Sequence, residues 1–247
     1  MRRYVMSILL LTLTIAACSP MQQSTSEAPA EEIPATVPPE ATDSPLPAET
    51  KKPADPVEAM VVDRLARNLG LDKSEISVVS HENVEFSDAC LGITMQDISC
   101  AQVTTPGHII VLEADNLQYE YHTDRSGKRI QPATLALTWK RSGGIAGFCD
   151  NLMVFLSGEV YAYKCDDPAD AKIETFANLI SARELEQFNA WMTNFGEVTL
   201  DASDPKGVSD RMEVILELYG VGRDKPGDEE QQEIIAWAQD LYQKLYS

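Results

Sequence analysis

From residue 57 onward the apolar positions keep two kinds of rhythm, and the changes between them mark out one element after another. Val61, Leu65 and Leu69 recur at the spacing of one helix face, and Gly70 follows as a residue suited to closing a helix in the left-handed conformation. Ile76 to Phe86 alternates as a strand does. His108–Ala114 and Leu117–Asp124 are two more alternating runs, joined by Asp115-Asn116, a pair suited to a two-residue hairpin turn. That turn sets Leu112 opposite Tyr119 and Ile110 opposite Tyr121 on an apolar side. It gathers Glu113, Gln118, Glu120, His122 and Asp124 on the other side, with Ile109 and Val111.

A second series begins at about Ala133. Thr134–Lys140 reads as a strand leading into a glycine-rich corner, Ser142 to Phe148. Asn151–Leu156 and Glu159–Lys164 make a hairpin around Ser157-Gly158. A two-residue turn there leaves Cys149 and Cys165 on opposite faces. A three-residue loop ending in a left-handed Gly158 sets them directly opposite, and that register is the expected one. Ser181 with Glu184 is a capping box opening a helix with the stripe Leu185, Phe188, Met192 and Phe195, ended by Gly196. Met212, Val214, Leu216 and Leu218 alternate as a one-sided strand. Ile234, Ile235, Ala238, Leu241 and Leu245 mark a last amphipathic helix. The order predicts an α+β protein with two small domains, 57–131 and 133–247, each an antiparallel sheet with packed helices.

Before residue 57 the rhythm is lost. Residues 18–56 are rich in Pro, Ala, Glu, Ser and Thr, and hold too little apolar surface to offset ordering, so a disordered linker is expected. Ahead of it stand Arg2-Arg3 and an apolar run from Tyr4 to Ile15, too short to cross ~30 Å of hydrocarbon. Ile15-Ala16-Ala17-Cys18 then resembles the bacterial lipobox. The resemblance implies that residues 1–17 are a cleaved signal peptide. It also implies that Cys18 carries lipid on its thiol and an acyl chain such as palmitate on its new amino group, which would anchor the chain stably to a bilayer. Ser19 is not the Asp that retains such proteins at an inner membrane. The expected place is therefore extracytoplasmic: the outer membrane of a two-membrane cell, and the cell surface otherwise.

Charge narrows the partners. There are 39 acidic against 20 basic residues, a formal net charge of −19, and removal of the leader with its two arginines takes it to about −21. Such a surface repels phosphate backbones, so nucleic acid is not an expected partner. Beyond Cys18 the cysteines are Cys90, Cys100, Cys149 and Cys165, an even number in an oxidising compartment, which reads as two disulfides. Three pairings exist, and the local one, Cys90 with Cys100 and Cys149 with Cys165, needs the least rearrangement. Neither pair has the spacing of a zinc site.

Two resemblances bear on the folded part. Helix, strand, stapled loop and hairpin over about 75 residues are similar in outline to PepSY-type modules, small α+β units of exported proteins. Thr138 to Val154, with the corner Arg141-Ser142-Gly143-Gly144-Ile145-Ala146-Gly147, resembles the opening of the emfourin family, small inhibitors of thermolysin-like metalloproteases. That likeness implies a sheet-and-helix binding domain and a protease as partner. The inserted cysteine pair departs from it, and no inhibitory contact carries over residue by residue.

The remaining candidates for chemistry are few. The glycine corner lacks the Lys of a phosphate loop and leads into a strand, so it reads as structural. In the hairpin register His108 and His122 point to opposite faces and His81 lies on another strand, so no metal site and no cofactor are expected. Glu113, Glu120, His122 and Asp124 form the best polar cluster, but nothing beside them supplies a nucleophile; a cleft converging on His122, Asp124 and Asp88 would mark an enzyme. Met153, Phe155, Tyr161 and Tyr163 share one side of the second hairpin, a candidate binding face unless a helix or the other domain covers it. The expected function is a non-catalytic, lipid-anchored binding module, protease-inhibitor-like by resemblance. A carboxylate/His-based hydrolase and a structural envelope protein are the alternatives.

Overall fold

The computed structural model of the chain describes residues 55–94, 99–165 and 178–246; the leader, Cys18 and nearly all of the linker lie outside them. Helix α1 (Pro56–Leu69) starts where Asp55 accepts the Val57 N–H at 2.8 Å and stops at Gly70, left-handed with φ 70°. It buries Val57, Val61, Leu65 and Ala66, the face its spacing predicts. Strands β1 (Ser77–Phe86), β2 (Thr105–Ala114), β3 (Leu117–Asp124) and β4 (Ile130–Pro132) follow as an antiparallel sheet in chain order. The β2–β3 register pairs Leu112 with Tyr119 and Ile110 with Tyr121, all four buried. Asp115 and Asn116 both take positive φ, 50° and 61°, as a two-residue turn matched to strand twist requires.

The second sheet holds β5 (Leu135–Gly143), β6 (Phe148–Phe155), β7 (Glu159–Lys164), β8 (Asn178–Leu179), β9 (Glu197–Asp201) and β10 (Met212–Tyr219), in the order β8-β7-β6-β5-β10-β9 with antiparallel pairing throughout. Helices α2 (Ala182–Asn194) and α3 (Asp228–Tyr246) pack with it. Phe188 and Met192 of α2 and Ile234, Ala238 and Leu241 of α3 join Trp139, Leu152, Val154, Leu216 and Leu218 in the core. The architecture is α+β, with two antiparallel sheets and three helices among the described residues.

The change of sheet falls between Pro132 and Leu135, at the junction the sequence marks. The buried apolar side chains run straight through it: Val57, Ile110 and Tyr121 of the first series belong to the same core as Trp139 and Leu241 of the second. The described residues all belong to one compact unit. The cysteines pair locally, Cys90 with Cys100 and Cys149 with Cys165, with Cα atoms 5.8 and 5.5 Å apart. In the second pair the Cys165 N–H donates to the Cys149 carbonyl at 3.1 Å. The loop Leu156-Ser157-Gly158 ends in Gly158 at φ 79°, so the cysteines stand directly opposite.

Candidate functional site

All three histidines lie in the four-stranded sheet. His108 sits at the inner edge of the core, 8% exposed, and β1–β2 pairing brings His81 beside it. His81 Nε2 lies 2.9 Å from His108 Nδ1, with the rings edge-on at 4.9 Å between centroids. On the other side of the His81 ring Nδ1 lies 2.7 Å from Glu58 Oε1 of α1, and His108 Nε2 lies 3.3 Å from the Arg125 carbonyl. Asp55, one turn before Glu58, has its carboxyl held below the ordinary range, first by the Val57 N–H; the two histidines add attraction. Two imidazoles between a carboxylate and a carbonyl form a line able to hold or pass a proton. The sequence separates His81 from His108 by 27 residues, so nothing short of the β1–β2 register reveals the pair.

His122 lies on the opposite face, as the hairpin register requires, but it is buried rather than open. Its Nδ1 is 2.6 Å from the Leu91 carbonyl and its Nε2 2.8 Å from Glu120, while Phe86 stacks on the ring at 5.1 Å. Asp88 accepts the N–H groups of Cys90 and Gly92. The predicted polar cluster therefore divides. Glu120 and His122 meet, and the His122 contact with the Leu91 carbonyl fastens the stapled loop to the sheet, while Asp88 braces that loop from within. Asp124 instead closes its own turn, accepting from Ser126 and Lys128 and pairing with Arg129 at 3.6 Å. Burial pushes the Asp124 carboxyl up, and the Ser126 and Lys128 donors outweigh this and hold it low. Glu113 lines a separate cleft of about 340 Å³ with Gln118, Leu135, Met192 and Tyr219. Asp88, Cys90 and Cys100 form a group of metal-ligand type, but both sulfurs are in the disulfide.

Met153, Phe155, Tyr161 and Tyr163 are all buried, 2–5% exposed, and present no face to a partner. Ile93 of the stapled loop and Leu135 pack against them, and the Tyr161 hydroxyl donates to Gln131 at 2.9 Å. The covering comes from the first sheet's loop and β4, which sequence pattern alone does not locate. Beside this cluster lies a buried ionic junction that sequence reasoning missed. Glu159, 1% exposed, accepts from Arg64 of α1, from Ser157 at 2.8 Å and from the Tyr121 hydroxyl at 3.2 Å. Burial lifts the Tyr121 phenol well above its usual range and the Glu159 charge adds to it; Tyr161 is raised by the same two causes. Arg64 and Glu159 are 95 residues apart, and this pair joins α1 to the second sheet.

The glycine corner is structural at its base and exposed at its tip. Arg141 donates twice to the buried Asp150, at 2.8 and 2.5 Å, and lies 4.2 Å over the Phe148 ring. Tyr242 of α3 donates to the same carboxylate at 2.8 Å. At the tip Ile145 is 90% exposed, the most exposed of the large apolar side chains among the described residues.

Helix α1, the four strands and the three histidines coincide with the stretch that matches a family. Residues 58–132 match a family described as a domain of unknown function (DUF8738). No curated protein matches the chain, and no solved structure matches it.

Proposed function

We propose that the chain is a non-catalytic binding module, held outside the cytoplasm by lipid on Cys18, that meets a protein partner through the corner carrying Ile145. The observation behind this is the exposure of that one side chain on a fixed support. Gly143, Gly144 and Gly147 take φ of 88°, 69° and 64°, and the Gly147 N–H closes the turn on the Gly144 carbonyl at 3.0 Å. The Gly144 N–H donates to the Arg211 carbonyl at 3.1 Å. A Cβ on Gly143 would sit 2.4 Å from that same oxygen, so the corner accepts no other residue there without moving. Below it, Arg141 and Asp150 fix the strand ends.

An apolar side chain on a loop already in shape loses little entropy on binding, and its burial contributes roughly 1.5–3 kcal/mol. Protease inhibitors work with surfaces that hardly move on binding. With the likeness of this corner to the emfourin opening, that favours a secreted thermolysin-like metalloprotease as the partner. The test uses the chain with Cys18→Ser, which keeps it free of lipid, titrated against such a protease. Inhibition is expected, weakened at least about tenfold by Ile145→Asp with an unchanged urea midpoint, because the side chain lies outside the core. Undiminished protease activity, together with no protein captured by the wild-type chain, would retire the proposal.

A further inference from the structure

Beyond that reading, we propose that Glu58, His81 and His108 are a built site for one proton, which ties the start of α1 to the turn that follows β3. Three contacts run in line: Glu58 Oε1 to His81 Nδ1 at 2.7 Å, His81 Nε2 to His108 Nδ1 at 2.9 Å, and His108 Nε2 to the Arg125 carbonyl at 3.3 Å. Each needs one hydrogen. The two ends, an ionised carboxylate and a backbone carbonyl, accept and do not donate. All three hydrogens must then sit on ring nitrogens, whereas two neutral imidazoles carry two. The complete line holds one proton more, and an imidazole takes it ahead of a carboxylate because its ordinary basicity is about two pH units greater.

With two hydrogens one contact is lost, and the one at Arg125 is the longest. With four, the two rings face each other N–H to N–H and the middle bond breaks. The neighbours favour three. Asp55 and Glu58 stand on the α1 side, and His81 has the exposed Glu82 next to it on β1. The register partners of His108 are Asn83 on β1 and Thr123 on β3, both uncharged. Arg125, in the turn that follows, is an exposed residue. The side chain of His81 is 14% exposed and His108 8%, so water does not readily replace a missing bond.

Linkage then has a definite shape. The unfolded pair goes from four ring hydrogens in acid to two in base around pH ~6.5, while the complete line needs three. Above that point folding takes up a proton and the contribution falls as pH rises; below it folding expels one and the contribution falls as pH drops. The stabilisation from the line peaks near pH ~6.5 and declines on either side by up to about tenfold in the folding constant per pH unit.

The decisive variant is Glu58→Gln. Its amide donates to a bare His81 Nδ1, and the line is then complete with two ring hydrogens and no added proton. The experiment is ¹⁵N-histidine NMR on the full chain carrying Cys18→Ser, with urea unfolding across pH 5–9. Three protonated ring nitrogens on His81 and His108 are expected at pH 6.5 in the parent chain and two in the Gln variant, which stays folded and loses the peaked profile. Two protonated nitrogens in the parent chain at that pH, or three retained by the Gln variant, overturns the proposal.

Discussion

Glu159 shows how a single residue couples distant parts of the chain. It is 1% exposed and paired with Arg64, with Ser157 and Tyr121 supplying further hydrogen bonds. Removing one partner strands the other charge, so Arg64→Met is expected to cost about 3–5 kcal/mol in urea unfolding. Replacing both, with Arg64→Met and Glu159→Leu together, costs less than Arg64→Met alone, because no orphan charge remains. A double variant that is less stable than the single one contradicts this account. The sequence gives no sign of the pair: Arg64 reads as one polar residue of a helix, and Glu159 as the first residue of a strand. Ile145 was visible in its corner, but its exposure depends on what packs nearby, and a single sequence does not carry that. The face of Tyr161 and Tyr163 turns on the same question, and a loop from the first sheet packs on it, the alternative the sequence left open.

At the level of elements, whatever depends on neighbours in sequence was legible. The capping box of α2 is present, with Ser181 accepting the Glu184 N–H and Glu184 accepting the Ser181 N–H. Both hairpin registers follow from their turns, because a turn of fixed length sets every pair behind it. Strands β4, β8 and β9 were not legible: they are two to five residues long, and it is the pairing partner that makes them strands. Helix α2 ends at Asn194 and Phe195 caps it, one residue before the glycine expected to close it, since the chain there turns to pair with Asp224. Glu184 also ties α2 to Lys244 of α3 at 2.6 Å. Burial pushes its carboxyl up, but the Lys244 bond and the Ser181 donors outweigh this and hold it at about 2, against 4.5 for a free Glu. A depressed carboxyl stabilises the fold above pH 4.5, and the effect is lost as pH falls toward 2. Lys244 is 63% exposed, so solvent limits the ion pair to below ~1 kcal/mol. The gap in melting temperature between the wild type and Glu184→Gln should be open at pH 6 and closed at pH 2; a gap that stays constant denies the coupling.

The described residues form two sheets over one main core, and the staples are local. The Cys90–Cys100 bond closes a loop whose Ile93 covers Tyr161 and Tyr163 of the other sheet, so it also holds a lid over the second hairpin. Replacing both cysteines with serine is expected to lower stability by ~3 kcal/mol in the chain-entropy model. It should also raise tyrosine quenching by added iodide, as the cover loosens; a stable variant with unchanged quenching would separate the staple from the cover. Fold class was legible here because it follows from element order. The shared core was not, since it is made by contacts between halves whose patterns are each complete.

Strand order in the larger sheet has a further consequence for how the chain is made. Strand β5 lies between β6, its neighbour in sequence, and β10, which comes about 70 residues later. Until Met212–Tyr219 arrives, the hairpin of β5 and β6 has one edge of unpaired N–H and C=O groups open to any other strand. A newly made chain that stalls before residue 212 thus exposes the open edge of β5, and a ribosome that releases it early sends out a fragment prone to edge pairing rather than a smaller domain.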